Sequence, residues 1–426
     1  MKECDVSARI ILAAAGSYGD LFPTIGLGIG LKRRGHDPVV AASPHYRALV
    51  EREGLGFHPV RPDLNPFDPD ILARAMDPRR GSEVVVRELV MPALRVSYED
   101  LAAGLAGADL VVSHPITFAA PLAAAHHRVP WVSTVLAPLS FFSRFDFPAV
   151  PPVTALVHLA RLSPWVAGAI RALSRAATRS WVAPVVDLRR DLGLPPSGHP
   201  LFEGQFSPLG TLALFSPVIG GPQPDWPAST TVTGFVFYDG HGDLPVELER
   251  FLGAGEPPIV FTLGSSAVGA AGSGAFFAAS LEAARTLGRR AVLLVGPQGV
   301  AQVPETAGDG WMAVAYAPHH LLFPRAAALV HHGGVGTTGQ GLRAGRPALV
   351  VPHAHDQPDN ARRVALLQVA RVLRADRYSA GAAGAELRRL LDEPTYRQHA
   401  EQVGRQVRAE DGVTAACAAI ERTLGR

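Results

Sequence analysis

HHGGVGTTGQGLRAGRPALVVPHAHDQPDN, residues 331–360, is the stretch on which the reading of this chain turns. The apolar run Ala327–Val330 before it has the length of a buried parallel strand. His331–Gly336 then sets Gly333, Gly334 and Gly336 where the chain turns and approaches a ligand closely. The pattern predicts a helix after this turn, capped by Thr337 and closed by Gly345. Pro347–Pro352 reads as a second buried strand, which delivers His353, His355, Asp356, Gln357 and Asn360 to its C-terminal edge. Free backbone N–H groups at the helix start, together with the positive end of its dipole, make an anion site that His332, Gly336 and Thr337 would face. Open α/β sheets bind ligands at the C-terminal edges of their strands. A phosphate site beside a carboxylate and a carboxamide suits a nucleotide joined to a polyhydroxylated group.

Outward from this stretch the same alternation recurs. RIILAAA (Arg9–Ala15) predicts a first strand, GSYGD a turn, Phe22–Arg34 a helix with Pro23 in its first turn, and Pro38–Ala42 a second strand. Asp109–Ser113, Val132–Leu136 and Thr211–Phe215 continue the series, with a helical stretch at Phe118–His127. The glycines of GLGIGLKRRG fall inside the first helix, and Leu31 stands where a dinucleotide fingerprint needs its third glycine, which disfavours a nicotinamide-dependent oxidoreductase. From Phe141 to Leu192 the pattern is helical and rich in bulky side chains, among them Phe141, Phe142, Phe145, Phe147, Trp165 and Trp181. Some of these are expected to line an apolar acceptor pocket, with Phe141, Phe142 and Phe145 as candidates; ordinary core packing is the competing reading. SPVIGGPQPDWP (Ser216–Pro227) concentrates proline and glycine as an interdomain linker does. Ile259–Leu263, a helix at Ala275–Leu287, a strand at Ala291–Val295 and a terminal helix at Tyr396–Leu424 complete the second half.

The 426 residues suit two domains of roughly 200 each. Apolar residues make up 47%, enough for two cores, and a formal net charge of +2 gives no electrostatic case for nucleic acid. Cys4 and Cys417, at opposite ends, offer neither a disulfide framework nor metal-ligand spacing. The N-terminus does not read as a secretory signal, and no apolar run reaches the ~18 residues of a membrane span. A soluble cytoplasmic protein is therefore the expectation. Peripheral membrane contact stays open, and oligomeric state is not legible.

The HHGG-x-GTT…LRAG-x-P…DQ-x-x-NA spacing resembles the donor-sugar signature of family-one nucleotide-sugar glycosyltransferases, in its bacterial macrolide and sterol type. The resemblance implies an α/β, GT-B-like fold: two facing Rossmann-like domains with parallel sheets and a cleft between them. The expected division is an acceptor-binding domain at 1–216, a linker at 217–240, a nucleotide-sugar-binding domain at 241–400, and a C-terminal helix at 401–426 packing back on the first domain. It also implies that His332 and Thr337, with Gly264, Ser265, Gly334 and Gly336, contact the diphosphate, and that Asp356 and Gln357 hold sugar hydroxyls. Tyr316 would stack on the base, with Ala317 supplying backbone hydrogen bonds and Gln340 near the ribose. Glutamate is common at the Gln340 position in uridine-diphosphate users, so thymidine-diphosphate donors are expected to be accepted alongside uridine ones. The implied reaction moves a hexose or deoxyhexose, with inversion and without metal or other cofactor, to a hydroxyl of an apolar small molecule. The whole chain also resembles the rhamnolipid rhamnosyltransferase type, through GDLFPTIGLGIGLKRRGH, QPDWP, PPIVFTLGSS and APHHLLFPRAAALVHHGG, but it departs from that type at His332, Thr337 and Thr338.

Such a transfer needs a base for the acceptor hydroxyl and stabilisation of a departing diphosphate. Asp20, at the C-terminal edge of the first strand, is the candidate base, where many relatives carry histidine; helix capping is its competing role. His36 is the other candidate, on the far side of that helix. Asp68 and Asp70 have the spacing of a metal-binding carboxylate pair, but their proline-rich context reads as a loop. A nucleotide-sugar epimerase of the same fold and a non-catalytic nucleotide-binding partner remain as alternatives.

Overall fold

The computed structural model describes residues 7–65, 68–151, 153–264, 273–299, 307–308 and 310–425. The valine-, isoleucine- and leucine-rich runs become parallel strands because only a strand covered on both faces can bury every side chain. Strands β1 (Arg9–Ala13), β2 (Asp37–Ala42), β3 (Gly56–Pro59), β4 (Leu110–Ser113), β5 (Trp131–Val135), β6 (Thr211–Ala213) and β7 (Thr230–Val232) form a parallel sheet in the order 3-2-1-4-5-6-7. A second sheet holds β8 (Ile259–Thr262), β9 (Ala291–Leu294), β10 (Ala307–Gly308), β11 (Trp311–Val314), β12 (Ala328–His331), β13 (Ala348–Val350) and β14 (Ala370–Val372), in the order 10-11-9-8-12-13-14. It is parallel except for the edge pair β10–β11. In each sheet the first strand lies inside, and the strand order reverses beside it: between β1 and β4, and between β8 and β12. Ligands bind at such switch points, so the topology alone nominates two places on the C-terminal edges.

Six helices matter for the site: α1 (Tyr18–Arg33), α2 (Pro164–Thr178), α3 (Val335–Ala344), α4 (Gln357–Leu366), α5 (Pro394–Ala409) and α6 (Gly412–Thr423). α1 starts four residues earlier than the sequence predicts, because Ser17 caps it and Asp20 completes a capping box; Pro23 consequently lies inside the helix, beyond its first turn. α3 is capped by the backbone at Gly334 with no side-chain bond, so Thr337 is a first-turn residue and not a cap. Gly345 does close α3, in the left-handed conformation at φ 66°. The carboxylates expected in a loop instead open a helix: Asp68 caps Pro69–Ala75, accepting from the N–H groups of Asp70 and Ile71. β7 lies within the stretch expected as linker and belongs to the first sheet.

The C-terminal segment is two helices, not one, and the expected boundary at 401 falls inside α5. α5 stays with the second half, where Gly404 meets Gly345. The chain crosses at Glu410–Asp411, and α6 then packs on α1: Val413 and Cys417 face Gly30, and Glu421 pairs with Arg34 at 2.6 Å. Among the described residues, no helix is long and apolar enough to cross a membrane.

At the crossing, a β-carbon on Gly412 would stand 2.3 Å from the carbonyl oxygen of Phe235, a backbone atom that cannot step aside. Gly412→Ala is therefore expected to lower stability by about 1–3 kcal/mol, the usual scale for overpacking. Chemical denaturation checks this, and an unchanged midpoint would mean that the crossing is looser than the structure has it.

Candidate active site

The two switch points face each other across one cavity of about 770 Å³. From the first sheet come Gly16, Ser17 and Asp20 after β1 and His114 after β4; from the second come His332, Gly334, Gly336 and Thr337 after β12, and His355, Asp356 and Gln357 after β13. Most of the remaining wall is apolar and belongs to the first half, with Ile71, Val86, Phe118, Phe142, Phe147 and Trp181 among its members.

Asp20 is held from two sides. One carboxylate oxygen accepts from the Ser17 N–H at 2.8 Å and the Ser17 hydroxyl at 3.2 Å. The other lies 3.3 Å from His114 Nε2. Gly16 makes this closeness feasible, since at φ 112° a β-carbon there would collide with Asp20. Burial works against the Asp20 charge, but the bonds from His114 and Ser17 outweigh it and bring the carboxyl below its ordinary pKa. The Ile116 N–H points at His114 Nδ1 from 3.4 Å, which leaves Nε2 to carry the proton toward Asp20. His114 was not singled out in the sequence; its signal was a histidine one residue past a buried strand, at the reversal of strand order. His36 lies elsewhere, with Nε2 3.3 Å from Glu421 of α6.

On the opposite wall the His332 ring sits between two glycines. β-carbons on Gly264 and Gly334 would stand 2.3 Å and 2.5 Å from its atoms. His332 is 4% exposed, and its Nδ1 has no hydrogen-bond partner. Burial, reinforced by His331, His353 and His319, keeps the ring neutral and well below the ordinary histidine pKa. It would thus meet an anion as a neutral donor, with the N–H groups of α3 supplying the positive field.

Gln357 and Asp356 are fixed by their own loop. Gln357 Oε1 accepts from the N–H groups of His353 and Ala354 at 2.8 and 3.2 Å, which turns its amide hydrogens outward. Asn360 Nδ2 donates to Asp356 at 2.7 Å and to the Gly333 carbonyl at 2.9 Å, tying this loop to the glycine turn. Burial pushes the Asp356 carboxyl up to about 7, the Asn360 bond resists, and the Asp20 charge adds to the rise.

Tyr316, Ala317, Gln340, Phe141 and Phe145 fall outside this cavity wall. Tyr316 is 59% exposed and Ala317 is fully buried. Partial shielding from solvent and then the nearby Asp239 raise the Tyr316 pKa. Asp239 also accepts from Gln340 Nε2 at 3.0 Å and from Arg343 at 2.7 Å, leaving Gln340 Oε1 buried and without a partner. Ser265 lies outside the described residues, as does Cys4. Of the three phenylalanines expected to line an acceptor pocket, only Phe142 does. Phe141, the last residue of the short 3-10 turn Pro138–Phe141, stacks on Trp226 in the core at 3.9 Å between ring centres, and the chain turns at Phe142, whose φ is 46°. Phe145 is 48% exposed, on a loop that turns outward, and Trp165 is exposed on α2. Among the described residues, no three His, Cys, Asp or Glu side chains gather into a metal-binding group.

Two domains, each built on a parallel sheet, that face each other over a glycine turn and a carboxylate–imidazole pair have the architecture of the GT-B class of glycosyltransferases. Comparison with known proteins agrees. Residues 295–419 match the family described as "Erythromycin biosynthesis protein CIII-like, C-terminal domain". The chain is 34% identical over 440 aligned positions to the O-mycaminosyltylonolide 6-deoxyallosyltransferase of Streptomyces fradiae, covering 97% of each. Among solved structures, it is similar to CalG4, the calicheamicin glycosyltransferase, at TM-score 0.73, 20% identity and 99% coverage of both chains. It is also similar to glycosyltransferase VinC in complex with dTDP, at TM-score 0.67 and 21% identity, over 98% of this chain and 100% of that one. The protein belongs to the family-one, macrolide-type glycosyltransferases, which sets aside the non-catalytic reading.

Because Asp356 is harder to ionise folded than unfolded, the folded state holds an extra proton between the ordinary value of 3.8 and about 7. The cost of its buried charge is therefore complete above about 7 and absent well below 3.8. Asp356→Asn keeps the oxygen that Asn360 needs and should raise the Tm of the unliganded protein more at pH 8 than at pH 4. Equal shifts at both pH values would show that the carboxyl titrates normally.

Proposed function

We propose that the enzyme transfers a hexose or deoxyhexose from a nucleoside-diphosphate sugar to a hydroxyl of an apolar natural-product scaffold, with inversion at the anomeric carbon. One observation carries the proposal: the Asp20–His114 pair and the Asp356–Gln357 turn open onto the same largely apolar cavity. The acceptor would lie against Phe142, Phe147 and Trp181, with its hydroxyl donating to Asp20. Attack by the hydroxyl oxygen forms the new C–O bond while the bond to the β-phosphate oxygen breaks. The proton passes to Asp20, and the electron pair leaves on the diphosphate. His332 and the first turn of α3, with Gly334, Gly336 and Thr337, would receive that charge, Gly264 making room for the ring. Asp356 and the Gln357 amide would hold sugar hydroxyls. His114, donating to the carboxylate, keeps Asp20 ionised and aimed; no ion is invoked in this scheme.

Tyr316 and Ala317 are proposed for the base, and Gln340 for the ribose. Gln340 offers one oxygen acceptor and no carboxylate, which supports thymidine-diphosphate donors alongside uridine ones. The fold neighbour VinC, crystallised with dTDP, and the deoxysugar-transferring Streptomyces relative support the same donor class.

Asp20→Asn should lower kcat by about two to four powers of ten, the scale of a lost general base, with dTDP binding retained. Mass detection of glycosylated product, with dTDP- and UDP-sugars against a panel of hydroxylated polyketides, phenols and sterols, provides the assay. Near-normal turnover in the variant would remove Asp20 from the chemistry. Turnover should also persist in chelator, and its loss there with rescue by magnesium or manganese would overturn the metal-free reading.

A further inference from the structure

One turn beyond Gln357, helix α4 carries a group of buried charges that the reaction scheme does not use. Asp359 is fully buried and Arg363 is 6% exposed. Asp359 accepts from Arg363 Nε at 2.6 Å, from Arg362 Nε at 3.4 Å and from the Ala149 N–H at 2.9 Å. Arg363 Nη1 donates to Asp146 at 2.5 Å and to the Ile219 carbonyl at 2.9 Å. Arg362 Nη2 donates to the other Asp146 oxygen at 3.2 Å and to the Phe147 carbonyl at 3.4 Å.

These bonds cross between the two halves of the molecule. Asp359, Arg362 and Arg363 stand on the helix that begins at the sugar-binding turn, whereas Asp146, Phe147 and Ala149 form a loop of the first domain. That loop reaches the cavity: Phe147 is on its wall and also packs on Ala160 and on Ala167 of α2. α2 in turn sends Ile170, Ser174 and Thr178 to the same wall. Ion pairs removed from water are costly, the more so here because Arg363 Nη2 is buried without a partner, and buried ionic groups are best attested as devices that fix one arrangement among several. Here the arrangement fixed is that of the acceptor wall against the sugar turn.

We infer that Asp359, Arg362 and Arg363 are positioning residues that set the acceptor side of the cavity, through Asp146 and Phe147, at its working distance from the donor sugar. The inference rests on the proposed division of the cavity into acceptor wall and sugar turn.

The test uses the partly exposed partners, Asp146 and Arg362, whose side chains are 26% and 17% accessible, so that folding survives. Asp146→Asn and Arg362→Gln are each expected to raise acceptor KM tenfold or more and to lower kcat. Affinity for dTDP, and the slow hydrolysis of donor by water without acceptor, should stay within twofold. Asp146→Glu, which keeps the charge, should restore most of the acceptor affinity. Unchanged acceptor KM in both variants would overturn the inference, as would an equal loss of dTDP affinity or of donor hydrolysis, which would mean general loosening. A wild-type enzyme that transfers to no apolar acceptor would overturn the underlying reading of the cavity; normal wild-type transfer with unaffected variants would sink only the positioning role.

Discussion

The site depends on one imidazole ring held where two side chains are missing. His332 leaves the end of β12 and lies between Gly264, at the end of β8, and Gly334, at the start of α3. Any β-carbon at either glycine would enter the ring. The three residues belong to the two strands that flank the switch point of the second sheet, so register, glycine placement and helix start are one constraint. Burial keeps the ring neutral, and the first turn of α3 would then provide the positive field for an arriving anion.

Across the cavity the first domain repeats the geometry with different chemistry. Asp20 is at once the third residue of α1, where it completes the cap, and the residue whose carboxylate lies 3.3 Å from His114 Nε2. Capping and catalysis were rival readings in the sequence; the structure shows the cap, made through one carboxylate oxygen, and sets the other beside His114. Ser17 occupies one oxygen and so fixes the rotamer; the other faces His114, and on the proposed scheme would take the substrate proton. The carboxyl is consequently a weak base at rest, which suits a transfer in which the hydroxyl becomes acidic only as its oxygen bonds to the anomeric carbon.

Legibility followed the range of the interactions. Nine of the described strands, the glycine turn and the closing Gly345 are local, and short apolar runs with their punctuation marked them within one or two residues; β3, β7, β10, β11 and β14, short strands at or next to the sheet edges, were not read. The start of α1 was missed because Pro23 looked like a first-turn proline, while the true cap, Ser17, lay inside what read as turn. The split between α5 and α6 was missed because helical periodicity runs through Glu410 and Asp411; in the structure Glu410 is extended, at φ −80° and ψ 142°, and Asp411 caps α6 by accepting from the Thr414 N–H. His114, the Asp146–Arg363 group and the Asp239–Gln340 bond join residues from about 90 to over 200 positions apart, and nothing in a single sequence pairs them. The aromatic cluster failed for a related reason: composition placed bulky residues near the cavity, but whether Phe141, Phe142 or Phe145 faces it is decided by a turn.

The central claim is that the diphosphate of the donor sits against His332 and the start of α3. Calorimetric titration of dTDP and of thymidine, into wild type and His332→Ala, tests it most directly. A hydrogen bond to a charged group contributes about 1.5–3 kcal/mol, so dTDP affinity should fall by about one to two powers of ten. Thymidine, which lacks phosphate, should bind both proteins alike. Equal loss for the two ligands, or no loss for dTDP, would contradict the claim.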